Sequence, residues 1–346
     1  MSPTIAILGA TGKLGGATLS ALLSHNLVSP PSSIVALTSS AQGSEKWGSL
    51  ESKGVQVRHA TFEDPASLEA ALRGVSTFFL VSTPNIALDF VGEDDDGKPV
   101  ALGPGREAHH RHAIDAAVRA GVERVVYSSL AFAFGGEGEG QEAKGKGKDE
   151  SKAGVMRAHL RTEAYLREVL GGGGALKEVV AIREGLYNES WPLYLGYFSA
   201  TGADDRTTVK LAGDGKICWT AISDLGVASA LVLVAPMGAY EGYRSFYLST
   251  RPATAKSMQE VAALVAEARG KEVNVEVVGR EEHVKYYVQE RGLQGPAVRW
   301  WVGTYEALED GECLVDDPML EELLAKVGVK PTPFEDTIRE MVRGSS

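Results

Sequence analysis

Cysteine is scarce. The 346 residues include only Cys218 and Cys313, far apart and without a CxxC, so no disulfide framework or zinc knuckle is encoded and both thiols read as packing residues of a reducing compartment. Basic stripes are missing too. With a formal net charge of -11 the chain repels a phosphate backbone, which removes direct nucleic-acid binding from the expected functions. No apolar run approaches membrane-spanning length, and no basic segment precedes the first strand-like run, Ile5-Ala6-Ile7-Leu8. Nothing therefore marks insertion or secretion, and a cytoplasmic protein with no membrane partner is expected. What is present is an ordinary globular composition, 44% hydrophobic and 23% charged, in a chain long enough for a sizeable core.

Short β-branched or apolar runs alternate with helical patterns through the first half. Ile5–Leu8, Ile34–Leu37, Val55–Arg58, Thr77–Val81, Val125–Ser128 and Val179–Ile182 read as strands. Leu14–Ser24, Glu45–Ser52, Pro65–Arg73, Arg106–Ala120 and Val155–Leu170 read as helices, the third opened by an Asp64 N-cap and Pro65. Such alternation implies an α/β fold, a Rossmann-type doubly wound parallel sheet with helices on both faces. Two insertions interrupt it, Gly92–Gly105 with its acidic Glu93-Asp94-Asp95-Asp96 run and the Gly/Glu/Lys tract Gly135–Gly154; each reads as a mobile loop, either without a role or a lid over the strand ends. After Arg183 the pattern changes to an aromatic-rich stretch, Tyr187 to Phe198, and strand-like pieces near Thr207–Leu211 and Ile217–Ala221. The expected division is a dinucleotide-binding domain over 1–183 and a smaller C-terminal substrate lobe over 184–346. Within the latter, 223–250 returns to the sheet through a strand at Phe246–Ser249, and helices after Thr254, Glu281, Pro296, Pro318 and Phe334 complete the lobe.

Gly9-Ala10-Thr11-Gly12-Lys13-Leu14-Gly15 follows the first strand and opens an amphipathic helix. Gly9 permits the tight turn, Gly12 lets backbone approach a pyrophosphate, and Gly15 lets the helix pack on the sheet, while the helix N-terminus offers N–H groups and positive dipole. Thr11, Lys13 and Leu14 complete the expected phosphate contact. The second strand ends Leu37-Thr38-Ser39-Ser40. With no carboxylate to repel a 2′-phosphate, and hydroxyls on Thr38, Ser39 and Ser40 to bind one, NADP(H) is preferred and NAD(H) stays possible. Lys13 and Lys46 are the cations near that end, each otherwise a solvated surface lysine.

With this turn, further blocks resemble the NmrA-like branch of the atypical short-chain dehydrogenase/reductases, including its NAD(P)H:quinone oxidoreductases. They are Phe62-Glu63-Asp64-Pro65-Ala66-Ser67-Leu68, Val81-Ser82-Thr83-Pro84, Ala120 to Ser129, His159-x-x-Thr162-Glu163, Ile182 to Glu189, and Gly311-Glu312. The resemblance implies adenine near Phe62, nicotinamide ribose near Ser82, Thr83 and Pro84, and nicotinamide near Ser128, His159 and Leu186. Two departures stand out: Ala60-Thr61 replaces the family's Gly-Asp, and Thr38 or Ser39 its Arg.

Most short-chain dehydrogenases pair a Tyr acid with a Lys four residues on. The corresponding helix reads Val155-Met156-Arg157-Ala158-His159, and both are lost. His159, which titrates near neutrality as a free side chain, either donates a proton, hydrogen-bonds the ribose, or is a structural residue beside Glu163 on the next turn. Tyr187 is the second catalytic candidate, and Tyr187, Asn188, Tyr194 and Tyr197 are the candidate substrate wall. His109-His110-x-His112 lacks a matching carboxylate or Cys spacing and reads as a solvated helix turn with no metal. Trp300-Trp301 reads as packing, and Asp224 as an N-cap. Three functions follow: an NAD(P)H-dependent oxidoreductase reducing a quinone, enone or related conjugated carbonyl by direct hydride transfer; a non-catalytic redox sensor with a protein partner; and an isomerase or cyclase acting on a biosynthetic intermediate.

Overall fold

The computed structural model describes residues 4–85, 105–132, 151–200 and 204–344. Strands β1 (Ile5–Leu8), β2 (Ile34–Thr38), β3 (Gln56–His59), β4 (Thr77–Leu80), β5 (Arg124–Leu130) and β6 (Glu178–Glu184) alternate with helices α1 (Lys13–Ser24), α2 (Glu45–Glu51), α3 (Pro65–Leu72), α4 (Arg106–Arg119) and α5 (Met156–Gly171). Helix α3 starts where the Asp-Pro pair predicts, the Asp64 carboxylate accepting from the Ala66 N–H at 3.0 Å. The chain continues through α6 (Trp191–Tyr194), β7 (Thr208–Leu211), α7 (Ile222–Leu233), β8 (Gly242–Leu248), α8 (Met258–Arg269), β9 (Asn274–Val277), α9 (Arg280–Lys285), α10 (Gly295–Trp301), α11 (Gly303–Glu309), α12 (Met319–Ala325) and α13 (Phe334–Arg343).

Seven strands form one parallel sheet in the order β3-β2-β1-β4-β5-β6-β8. This is the doubly wound Rossmann-type sheet that the alternation implied. Every residue of β1, β2 and β4 is buried, because helices cover both faces and leave no polar side to the strand. On one face Ile5, Ile7, Phe79, Val180 and Ile182 pack with Leu14 and Leu19 of α1 and Leu225 and Leu233 of α7. On the other, Leu8, Phe78, Val125 and Val179 meet Leu72 of α3, Ile114 of α4 and Leu166 of α5. Helices α1 and α7 touch closely at Gly226, where a Cβ would stand 2.7 Å from the Ala17 backbone carbon.

The lobe has its own core, in which Trp191, Phe198, Trp219, Trp301, Tyr305 and Phe334 surround β7, paired in parallel only with β9. Helix α8 starts on a reciprocal capping box between Ser257 and Glu260. Trp301 is buried and Trp300 packs beside it, as expected of packing residues.

Several expectations are corrected. Ile217–Ala221 is a splice rather than a strand: Ile217 bridges to Lys256, while the Thr220 N–H donates to Leu186 O and Thr220 O accepts from the Asn188 N–H, so the segment joins lobe to sheet instead of continuing one ladder. Helix α12 lies against α7 and β8, with Leu320, Leu323 and Leu324 in the sheet's core and not the lobe's. Asp224 sits inside α7, whose N-cap is Ala221, and its carboxylate accepts from the Thr332 N–H and hydroxyl at 2.6 and 2.8 Å. The insertions at 92–105 and 135–154 fall almost wholly outside the described residues. The described end of the second is fastened rather than loose: Lys152 pairs with Asp310 at 2.8 Å and its N–H donates to Glu312. No helix among the described residues is long and apolar enough to cross a membrane.

Candidate dinucleotide and substrate site

The strand order reverses at β1 and β4, so a crevice opens at their C-terminal ends, where open α/β sheets bind ligands. The turn leaving β1 lines it. Gly9 takes φ 76, and its carbonyl accepts from the Gly12 N–H at 2.8 Å. At Gly15 any side chain is barred, because a Cβ would stand 2.3 Å from Gly9 O. Helix α1 thus begins hard against the turn, its N-cap Gly12 offers no capping side chain, and no acid occupies its first turn. First-turn amides have no acceptor inside a helix. Thr11, Gly12 and Lys13 are exposed above a buried Leu14, so this bare, positive N-terminus fits a pyrophosphate.

The end of β2 is less committed. Thr38 is buried and its hydroxyl accepts from the Ser40 N–H at 3.1 Å, whereas Ser39 is exposed. Lys46 is exposed on α2, and Lys13 lies near enough to Glu189 to draw that carboxyl's pKa down against burial, which raises it. Phe62, the expected adenine contact, already stacks one face on His109, with ring centroids 5.2 Å apart and planes 7° from parallel.

Past β4, a hydrogen-bonded chain fixes the backbone. Ser82 N–H donates to Ser128 Oγ at 2.8 Å, and Thr83 N–H donates to His110 Nε2 at 3.3 Å. The ring that accepts at Nε2 carries its proton on Nδ1, which donates to Thr162 Oγ1 at 2.9 Å; that hydroxyl passes its own hydrogen to Ala158 O at 2.7 Å. Burial, with Arg106 and His109 adding to it, holds the His110 pKa well below its ordinary value. The ring is a neutral spacer locking Ser82 and Thr83 to β5, α4 and α5. Pro84 follows, exposed.

This corrects the reading of the histidine triplet. His109 and His110 are buried, at 8% and 0% exposure, because α4 turns Arg106, His109, His110 and Ala113 toward the sheet. The described residues contain no group of three or more His, Cys, Asp or Glu able to hold a metal.

His159 is also corrected. It is 4% exposed, and burial, followed by Arg106 and His110, keeps its pKa well below the ordinary value. Arg106 Nη1 faces Nε2 at 3.4 Å, so Nε2 accepts and Nδ1–H points to the Tyr127 oxygen at 2.8 Å. The ring is neutral near pH 7 and cannot serve as a cationic acid. Glu163 is not its partner: that carboxylate accepts from Arg183 at 2.9 and 3.2 Å, Ser129 at 2.7 Å and Tyr243 at 2.9 Å.

Of the four candidate wall residues, Tyr187 alone packs with the crevice side, half-buried against the cluster holding Ala10 and Leu14, as Val81 does. Its hydroxyl donates to Glu184 Oε2 at 2.6 Å. Tyr194 is 5% exposed and wedged edge-on between Trp219 and Trp301, and Leu186 is buried in the same lobe core. Asn188 is fully buried, its Nδ2 donating to Thr337 Oγ1 of α13 at 3.0 Å. Tyr197, at φ 53, leans on Tyr287.

Sequence reading passed over Glu184. It ends β6 at 1% exposure, with Oε1 lacking a hydrogen-bond partner among the described residues, and burial pushes its carboxyl up to about 8. The backbone there is forced by Gly185, where a Cβ would stand 2.2 Å from Thr220 Oγ1 and 2.8 Å from Ser249 Oγ. In the sequence the only mark is an acid-glycine pair, Glu184-Gly185, at the end of an apolar strand run.

Comparison with known proteins bears out the resemblance. Residues 1–135 match the NmrA-like family. The chain is 29% identical to the NmrA-like family domain-containing oxidoreductase flvB of Aspergillus flavus over 338 residues, 97% of this chain and 94% of that protein. It is 29% identical to quinone oxidoreductase 2 of Escherichia coli over 270 residues, 78% of this chain and 76% of that one. The triphenylmethane reductase of Citrobacter sp. superposes with TM-score 0.72 at 25% identity, covering 98% of this chain and 99% of the other; its complex with NADP(H) gives 0.71 at 24%, with the same coverage.

Proposed function

We propose that this NmrA-like chain is an NADP(H)-dependent reductase that delivers hydride directly to a quinone, enone or related conjugated carbonyl. The observation that carries the reading is the uncapped start of α1 at the β1/β4 crevice, closed by a glycine that admits no Cβ. Amides of Lys13 and Leu14 would hold the pyrophosphate, with Thr11 and Gly12 beside them, and the fixed Ser82–Pro84 backbone together with Ser128 would hold the nicotinamide ribose. Exposed Ser39 and the absence of a carboxylate after β2 favour the 2′-phosphate form. The Citrobacter relative's complex with NADP(H) supports the same choice.

When bound, the reduced nicotinamide supplies the hydride. The chain's own part is to fix the ring's neighbours, exclude water with the lobe's apolar packing, and place Tyr187 where a developing oxyanion needs a donor. Tyr187 stays protonated because burial raises its pKa well above the ordinary phenol value. A conjugated acceptor spreads its negative charge, so the missing Tyr/Lys pair is not required. Names of relatives that reduce quinones or triphenylmethane dyes point to planar, conjugated acceptors.

The test mixes purified protein and NADPH with a panel of quinones, enones and a triphenylmethane dye, following loss of reduced-cofactor absorbance. Turnover with at least one acceptor, faster with NADPH than NADH, is expected. Tight NADPH binding with no turnover across the panel would replace this reading with the redox sensor.

A further inference from the structure

We propose that Glu184 is the proton reservoir of the reaction, passing its carboxylic proton through the Tyr187 hydroxyl to the reduced substrate; this rests on the reductase reading above. Glu184 and Tyr187 are a built pair at the strand end. The carboxyl is fully buried, one oxygen is 2.6 Å from the phenol, and the other has no partner among the described residues. Of the two, Tyr187 is the partly exposed member, and it packs against the cluster that holds Ala10 and Leu14 of the turn after β1. A proton leaving Glu184 for a ligand must therefore go through Tyr187.

The surroundings keep this acid neutral. Tyr127 of β5 and Tyr187 are the titratable groups close to it, and Glu189 and Tyr194 lie beyond Tyr187. Arg183, the next residue along β6, is committed on the opposite face to Glu163 and Tyr247. Burial is thus unopposed by any cation among the described residues, and one hydrogen bond is too little to hold a buried carboxylate. A neutral carboxyl reverses the pair: Oε2–H donates to the phenolic oxygen, and the phenolic hydrogen is released toward the crevice. Were the side chain only an anchor for Tyr187, an amide would do the same work without burying an ionisable group.

The step balances. Hydride adds to the electron-poor carbon of the conjugated system, and the displaced electron pair moves to the carbonyl oxygen. That oxygen takes the Tyr187 proton as the phenolic oxygen takes the proton from Glu184 Oε2. Two electrons leave the dinucleotide and enter the substrate, Glu184 is left as carboxylate, and it regains a proton from solvent after product departs.

Two measurements on the full chain test it. First, infrared difference titration of the free protein, with Glu184→Gln as the spectral blank, should show a protonated carboxyl lost with a midpoint near pH 8; a midpoint in the ordinary carboxylate range overturns the proposal. Second, Glu184→Gln should bind NADPH like the wild type by calorimetry, yet reduce the acceptor about 10²-fold more slowly. It should also lose the wild-type fall in rate above about pH 8 and the solvent isotope effect. Unchanged rate, pH profile and isotope effect in that variant would leave Glu184 a structural anchor. If instead neither protein binds NADPH, the reductase reading itself fails, and the infrared midpoint still reports on the carboxyl alone.

Discussion

At the scale of single residues, the site is governed by what burial does to ionisable side chains. His110 and His159 carry no charge in the fold, each held below its ordinary value first by desolvation and then by Arg106. The linkage has a definite sign: a histidine whose folded pKa is depressed binds fewer protons folded than unfolded, so its contribution is fully present above the unfolded value near 6.5 and is lost as pH falls below it. Each ring should remove about 1.4 kcal/mol of stability per pH unit in that window. Urea unfolding at pH 7 and pH 5 measures this, and equal stabilities at the two would mean that the rings are charged inside the protein. Sequence could not show it. A helix reading Arg106-Glu-Ala-His109-His110 looks polar on every side, and only the packing of α4 on the sheet makes Arg106, His109 and His110 interior. A second residue-scale prediction concerns Gly15. Alanine there drives Gly9 O away from its 2.3 Å approach and must shift the turn, so Gly15→Ala should weaken NADPH binding by tenfold or more, about 1.4 kcal/mol, as read from quenching of tryptophan fluorescence. Wild-type affinity would show that the turn is not the grip.

At the scale of elements, the first six strands and five helices are legible because the strands, apart from the half-exposed edge strand β3, are short β-branched or apolar runs buried on both faces, bounded by polar and glycine-rich turns. Strand β9 is not. Asn274-Val-Glu-Val277 is mostly exposed and pairs with β7 alone, so its sequence carries no apolar run. Glu184 escaped for a related reason: the apolar signal of β6 stops at Ile182, while the strand runs on buried through Arg183 and Glu184, paired with Tyr247 and Leu248 of β8 from a distant part of the chain. The junction of α5 with β6 makes its own prediction. Glu163 is pulled upward by burial, but Arg183, Ser129 and Tyr243 outweigh that and lower its pKa. A carboxyl depressed in the fold contributes stability above its unfolded pKa and loses it as pH falls through the folded value. Glu163→Ala strands Arg183 in the interior and should cost about 3–5 kcal/mol at pH 7, shrinking toward acid pH. Denaturant titration across pH decides it, and a cost that did not shrink in acid would place the loss in packing rather than charge.

At the scale of the whole molecule, the sheet with its two helical layers and the aromatic lobe are joined through the Thr220 splice and α13. Asn188 on the sheet side is tied to Thr337 of α13, and Asp224 of α7 to Thr332 just before that helix. Loosening the C-terminal helix therefore acts on the residues beside Tyr187. A ligand that binds only the folded chain shifts unfolding by mass action, about 2.7 kcal/mol at a hundredfold excess over its dissociation constant. For a chain of this size that corresponds to roughly 4 °C in Tm. If the bare start of α1 and the Ser39 end of β2 together select the phosphorylated dinucleotide, NADPH at fixed concentration should raise Tm by that amount and NADH by clearly less. In Thr332→Val, which removes the hydroxyl donor to Asp224 but leaves the crevice intact, the baseline Tm should fall while the NADPH increment stays the same. An increment that vanished with Thr332 would place the ligand between sheet and lobe rather than on the turn after β1, and equal shifts from NADPH and NADH would remove the 2′-phosphate from recognition.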